Sequence, residues 1–327
     1  MPPIPVSARV QWGVFSSSQA YAEGWTPYQL WAATKSGVLV HLRRGAYLPV
    51  DEVLAVEPSR RPAFLLGRRG VAAALTVPRS TVSHRSAGAL RQLPLLDDGP
   101  TPCVTLDPAL RTRPAELHVH RQPIRTDEVD ERSIVPLTAI DRTIMDITRE
   151  CGLRAGTAAA DAALRRGMTT SSRLRDAYSG LRGRAGLKNG SAIVDLASPL
   201  SESPLESISR VALHGCPVAL EQQVRLFDPS GVQIARVEFW NQEAGLVGEA
   251  DGREKYDREE LYSEKRRADR LHALGVLITR WDWATAMNEQ RLRAQIVRAH
   301  ERALELRRSG LRLEVRARPS ALVRPDF

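Results

Sequence analysis

Arg236-Val237-Glu238-Phe239, a short gap, and then Leu246-Val247-Gly248-Glu249-Ala250-Asp251-Gly252 followed by Lys255-Tyr256 is the stretch on which the fold of the C-terminal part turns. Side chains alternate along a strand, so Glu249 and Asp251 point to one face, and a hairpin-like partner strand brings Glu238 beside them. Acids gathered this way repel one another unless a hard cation neutralises them, and Mg²⁺ or Mn²⁺ held by a few carboxylates plus water suits a phosphate substrate. That layout, with Lys255 as the nearby ammonium, is how a metal-dependent phosphodiesterase site is built. The same residues also describe solvated acids on a sheet edge, and spacing alone does not separate the two.

Working outward, Ser203-Pro204-Leu205-Glu206 forms a capping box that predicts a helix over 204–214. Strands are expected over 222–227 and 232–240, joined at Asp228-Pro229-Ser230-Gly231, and a third carries Glu249 and Asp251. A charged helix over 257–274, an apolar strand over 276–281 and a long helix with Leu292, Ile296, Ala299, Ala303 and Leu306 on one side complete residues 201–310. Helix, three strands, helix, strand, helix is an α/β layer pattern with a mixed sheet. The arginine-rich segment 311–327 offers little to pack and is expected as a loose basic tail.

At the other end, residues 1–50 parse as a small winged helix-turn-helix. Ser16-Ser17-Ser18-Gln19 and Thr26-Pro27-Tyr28-Gln29 are capping boxes for two helices separated by Gly24; after Gly37 a strand and turn through Arg43-Arg44-Gly45 form a wing. Leu30 and Thr34 are spaced to face the core, which leaves Tyr28, Trp31 and Lys35 outward, where a recognition helix meets a DNA groove. Arg9, Lys35, Arg43 and Arg44 face a single acid in this segment, Glu23. Any three-helix core would show similar caps.

Residues 51–200 mix both periodicities. Helices are predicted over 63–75 and over 138–148, the latter capped by Thr138 with Asp141 at its third position, and strands over 103–106 and 116–120. Short helices follow over 154–166, 169–178 and 187–196, with a glycine- and arginine-rich linker at 179–190. The His118-x-His120 pair has metal-ligand spacing, but no third ligand lies within reach along the sequence.

A chain of 327 residues supports two or three domains. Its net charge of +9 and isoelectric point near 10.0 favour a polyanionic partner, because a basic surface gains affinity by releasing counterions from phosphates. Arginine dominates, with Lys35, Lys188, Lys255 and Lys265 the only lysines, and Arg280 is a further expected DNA contact in the C-terminal region. Cys103, Cys151 and Cys216 are odd in number and lack a Cys-x-x-Cys pair, so they support neither a disulfide framework nor a structural zinc motif. With no signal pattern at Met1-Pro2-Pro3-Ile4-Pro5 and no bilayer-length apolar run, the expectation is a cytoplasmic protein without a membrane partner or small-molecule cofactor.

Residues 10–190, through Gly13-Val14-Phe15, Arg44-Gly45-Ala46-Tyr47-Leu48, His84-Arg85-Ser86-Ala87 and Asp141-Arg142-Thr143-Ile144-Met145-Asp146, resemble the AbiEi-type antitoxin and transcriptional regulator proteins. Residues 203–297, through Ser203-Pro204-Leu205-Glu206, Arg236-Val237-Glu238-Phe239, Gly248-Glu249-Ala250-Asp251-Gly252 and Glu264-Lys265-Arg266, resemble the Vsr-like branch of PD-(D/E)XK endonucleases. The second resemblance implies that Glu206, Glu238 and Glu249 ligate Mg²⁺ or Mn²⁺. It also implies that Lys255 orients a water or offsets phosphate charge, since Asp251 stands where that motif has lysine. Glu238 replaces the usual aspartate, and Glu206 is independently explained by helix capping. The whole then reads as a multidomain α/β protein: winged helix-turn-helix 1–50, α+β region 51–200, PD-(D/E)XK-like domain 201–310 and basic tail 311–327. Two functions follow: a metal-dependent DNA endonuclease or nickase, or a non-catalytic regulator or antitoxin with DNA and a cognate toxin as partners.

Overall fold

Two reciprocal capping boxes start the first helices. The Ser16 hydroxyl accepts from the Gln19 amide while the Gln19 side chain reaches back to Ser16 N, opening α1 (Ser17–Ala22), and Thr26 with Gln29 does the same for α2 (Pro27–Lys35). Gly24 and Gly37, at φ of 87° and 74°, supply the left-handed residue after each helix. The computed structural model describes residues 2–97, 99–111, 114–181, 190–252 and 258–320, the side chains of 258–261 excepted. Among these residues the fold is mixed α/β with several sheets, and no helix is long and apolar enough to cross a membrane.

β1 (Phe15–Ser16), β2 (Leu39–Arg43) and β3 (Ala46–Pro49) form an antiparallel sheet in the order β1-β3-β2, with Gly45 at φ 82° in the turn. After α3 (Val50–Leu54) come α4 (Arg61–Thr76), β4 (Ser80–Val82) and α5 (His84–Leu90). Leu42, Ala46 and Leu48 pack with Val71, Ala72, Val82 and Ala87, so the first fifty residues share a core with the segment that follows. By packing, the chain divides into two compact units: Met1–Ala163 with Met168–Asp195, and Leu164–Gly167 with Leu196–Phe327.

The first unit continues with β5 (Cys103–Leu106), antiparallel to β4 and parallel to β6 (His118–Arg121), and with α6 (Ile140–Cys151), α7 (Leu153–Arg165), α8 (Ser171–Leu181) and α9 (Gly190–Leu196). Thr138 does not cap α6 as its sequence position suggests; Ala139 is the capping residue and makes no side-chain bond. The Thr138 amide is tied to Val82 O at 2.9 Å and its hydroxyl pairs with Thr143 at 2.7 Å, so the sheet holds it one residue short of the helix. Most of the expected linker at 179–190 lies outside the described residues.

In the second unit α10 (Pro204–Leu213) precedes β7 (Glu221–Phe227), β8 (Gln233–Asn241), β9 (Leu246–Ala250), α11 (Arg258–Ala273), β10 (Leu277–Trp281), α12 (Trp283–Met287), α13 (Glu289–Arg308) and β11 (Arg316–Pro319). The sheet order is β10-β9-β8-β7-β11; only β9 and β10 run parallel, and α11 is the helical crossover that such a pair needs. Val224, Leu226, Val237, Trp240 and Val247 form its core with Leu271 of α11. The expected long C-terminal helix is α13, opened by the Asn288 side chain as its cap. Two expectations are corrected. Asp251 stands just past the end of β9, where its amide bonds to Trp281 O. Residues 311–320 are not a loose tail: Glu314 N donates to Leu274 O, a Cβ at Gly275 would collide with the Arg312 carbonyl, and 316–319 form the edge strand β11 on β7.

Candidate functional site

Gly248 lets the acid-bearing part of the second unit close up. A Cβ there would come within 2.7 Å of the Trp281 ring, so glycine is what allows β10's tryptophan to lie flat across β9. The Trp281 indole donates to Ser209 Oγ at 2.7 Å and thereby fastens α10, the helix bearing Glu206, over the strand bearing Glu249. A cavity of about 650 Å³ opens beside this junction, lined by Ser203, Glu206, Glu238, Asp251, Asp282 and Trp283 among others.

Glu206 is buried; its Oε2 accepts from the Glu202 amide at 3.0 Å and from Gln223 Nε2 at 2.9 Å, while Ser203 Oγ caps the helix alone. The carboxylate has thus left the expected capping box for a position at the cavity wall. Glu238 Oε2 accepts from the Ala250 amide at 2.6 Å. Burial pushes the Glu238 carboxyl up to about 7; the Ala250 bond opposes this, and Glu206 and Glu249 add to it by repulsion. Glu249 is buried and spoken for at both oxygens, Oε1 by Arg267 at 2.5 Å and Oε2 by Arg280 at 2.8 Å, and both arginines also bind Glu264. Asp251 is exposed at the mouth. Lys255 lies outside the described residues.

The structure therefore brings Glu206, Glu238 and Asp251 to one cavity and directs Glu249 to an arginine pair. Among the described residues, the three expected ligands Glu206, Glu238 and Glu249 do not form a group of donors tight enough to hold a metal ion, whereas Cys103, His118, His120 and Glu150 do: one donor atom from each lies within 4.8 Å of the others. This second group could hold a metal ion. Parallel pairing of β5 and β6 places Cys103 opposite His118 and Thr105 opposite His120, and the last turn of α6 brings Glu150 over them. His118 Nδ1 lies 2.9 Å from Glu150 Oε1, and Cys103 Sγ is 3.7 Å from the same oxygen. Burial pushes the Cys103 thiol up to about 12, helped by Glu150 and opposed by Arg85; burial also pushes His120 down to about 3, helped by His84 and His118. Two of these ligands stood in the sequence as His118-x-His120. The other two were hidden because strand register and a helix end, not chain spacing, bring them in.

Of the residues expected to meet DNA, Tyr28 and Trp31 are 72% and 55% exposed on α2 with ring centroids 5.7 Å apart, and Lys35 and Arg44 are exposed nearby in sequence. Arg43 departs from the expectation. Its Nε and Nη1 are buried without hydrogen-bond partners, burial lowers its pKa, and it lines a cavity with Arg69 and Glu116, where the pairing of β2 with β3 shifts register between His41 and Arg43; Arg44 at the turn is exposed. Arg280 is committed to Glu249 and Glu264. Compared with protein-family models and with curated proteins, the chain finds no match.

Proposed function

We propose that this chain is a cytoplasmic DNA-binding protein that, with Mg²⁺ or Mn²⁺, cleaves or nicks DNA at the cleft lined by Glu206, Glu238 and Asp251. One observation carries the reading: Glu206, Glu238 and Asp251 line one cavity, where burial, with repulsion from Glu206 and Glu249 adding to it, pushes the Glu238 carboxyl up to about 7, and a hard cation would offset both causes. Such an ion would polarise a phosphoryl oxygen and supply a metal-activated water. On this reading Glu206 and Glu238 offer oxygens toward the cavity, Glu249 joins them once Arg267 and Arg280 turn to the phosphate backbone, and Lys255 orients the attacking water, as the resemblance to PD-(D/E)XK endonucleases implies. Tyr28, Trp31, Lys35 and Arg44 form the exposed aromatic and cationic face that meets DNA in the manner of a winged helix-turn-helix.

A second reading is favoured by a specific contact. With both Glu249 oxygens held by arginines, the same fold can serve as a binding module, as in an AbiEi-like regulator or antitoxin that engages DNA and a cognate toxin. Supercoiled plasmid incubated with the purified chain and Mg²⁺ or Mn²⁺, with and without chelator, separates the two. Chelator-sensitive nicking supports the enzyme; DNA binding with no nicking under either metal supports the regulator.

A further inference from the structure

We propose that Cys103, His118, His120 and Glu150 form a structural site for a divalent ion of the Zn²⁺ class, clipping β5, β6 and α6 together in the first unit. This goes beyond the cleft in the second unit and does not depend on its activity.

The donor set decides the metal. One thiolate sulfur, two imidazole nitrogens and one carboxylate oxygen suit tetrahedral Zn²⁺ or its stand-in Co²⁺, whereas Mg²⁺ and Mn²⁺ prefer oxygen alone. Four protein ligands leave no open position, so the site is a structural one. Charge agrees: thiolate and carboxylate together balance a divalent ion, and the neighbouring Arg85 has Asp97 at 3.5 Å as well as Glu150 at 3.4 Å.

Geometry supplies the independent support. His120 Nε2 is buried without a hydrogen-bond partner, an unfavourable state that coordination would relieve. The ring is held in place by stacking on His84, with centroids 3.3 Å apart and planes within 8°. His118, 48% exposed at its side chain, gives the ion a way in from solvent. The four donors already lie within 4.8 Å of one another, and the strand register faces Cys103 to His118. Binding would replace the Cys103 S–H bond by an S–metal bond and release that proton to water.

The test uses the full chain stripped of metal by chelator and titrated with Co²⁺, then Zn²⁺. One equivalent of Co²⁺ should give the visible bands of tetrahedral cobalt with a thiolate-to-cobalt charge-transfer band, and Zn²⁺ should bleach them and raise the melting temperature. His118→Ala, at an exposed position, should still fold without metal, its melting lowered at most by the lost contact to Glu150, and should weaken Co²⁺ binding at least about tenfold. Cys103→Ser should lose the charge-transfer band, while Cys151→Ser and Glu238→Gln keep it. The proposal is overturned if no stoichiometric cobalt bands appear, if His118→Ala titrates like the parent, if Zn²⁺ leaves melting unmoved, or if Cys151→Ser and not Cys103→Ser removes the band. Plasmid nicking plays no part in these readouts, so failure here and failure of the nuclease reading are separate results.

Discussion

The carboxylate cleft of the second unit and the Cys-His-Glu cluster of the first solve the same electrostatic problem in opposite ways. In the cleft, burial above all, with repulsion from Glu206 and Glu249 adding to it, pushes Glu238 up to about 7, and arginines already pair with Glu249. In the cluster, one acid sits among a thiol and imidazoles that are neutral when free, so little repulsion builds up and the donors approach within 4.8 Å. Hard, charged ligands stay apart until a cation arrives; soft, neutral ones can be assembled in advance. A motif that reads clearly in sequence therefore need not be the tighter cage in space.

The sharpest way to break this contrast is to remove the buried carboxyl at the cleft wall. Glu238→Ala should lower Mg²⁺-dependent nicking by about 100-fold or more while leaving DNA affinity largely intact, because the lost group serves the reacting phosphate and not its positioning. Nicking by the variant at the parent's rate would end the cleft's claim to catalysis.

A second effect needs no DNA. Folding favours the protonated Glu238, whose pKa rises from an ordinary 4.5 to about 7, so its stabilisation is fully present below pH 4.5 and is lost as pH climbs through 7. Metal-free protein should be less stable to urea at pH 8 than at pH 5 by about 2 kcal/mol from this group, after allowance for its partial exposure. Glu238→Gln should flatten that slope, and Mg²⁺ should restore part of the loss at pH 8 in the parent only. A parent whose slope matches the glutamine variant's would show that burial and the neighbouring acids do not hold Glu238 protonated.

Smaller still is the effect of the arginine pair. Arg267→Ala leaves the buried Glu249 with Arg280 alone, and should cost about 1–2 kcal/mol of stability, less than the loss of an entire buried pair. If Glu249 is a ligand waiting for metal, Mg²⁺ binds the variant more tightly than the parent by calorimetry. Equal or weaker binding identifies the arginines as a permanent structural pairing.

How far these features were legible varies with the distance over which they are encoded. The caps at Ser16, Thr26 and Ser203, and the glycines after α1 and α2, are local chemistry and could be read residue by residue. Thr138 misled because a backbone bond to Val82, 56 residues earlier in number, outranks its own cap propensity. The C-terminal strand was missed since Arg316-Ala317-Arg318-Pro319 has no apolar alternation; what pairs it is β7's open edge together with the close fit over Gly275. Glu206 and Glu238, which line one cavity, were singled out through motif order and strand alternation, but nothing in the sequence told that Glu249 would be claimed by Arg267 and Arg280. Cys103 and Glu150 lie 15 and 32 residues from His118 in number, and only a parallel register turns that separation into contact.

The least of the expected effects concerns the basic face of the first unit, where two adjacent arginines part company. Arg44 is exposed at the turn between β2 and β3, whereas Arg43 keeps two guanidinium nitrogens buried beside Arg69 and Glu116. A cation that contacts a phosphate releases counterions, so Arg44→Ala should reduce the dependence of log affinity on log salt by up to about one unit and weaken binding alike for all sequences. Arg43→Ala should leave that salt slope where it is and show its effect in unfolding, because truncating it removes packing from a cavity wall and not a charge from the DNA-facing surface. Fluorescence anisotropy on a labelled duplex at several salt concentrations reads both at once. If Arg43→Ala flattens the slope as much as Arg44→Ala does, the guanidinium leaves its cavity to reach DNA, and the division between an inward and an outward arginine fails; if neither changes it, the aromatic and cationic face of α2 and the β2–β3 turn is not where DNA binds, and Tyr28 and Trp31 are better understood as a contact for a protein partner.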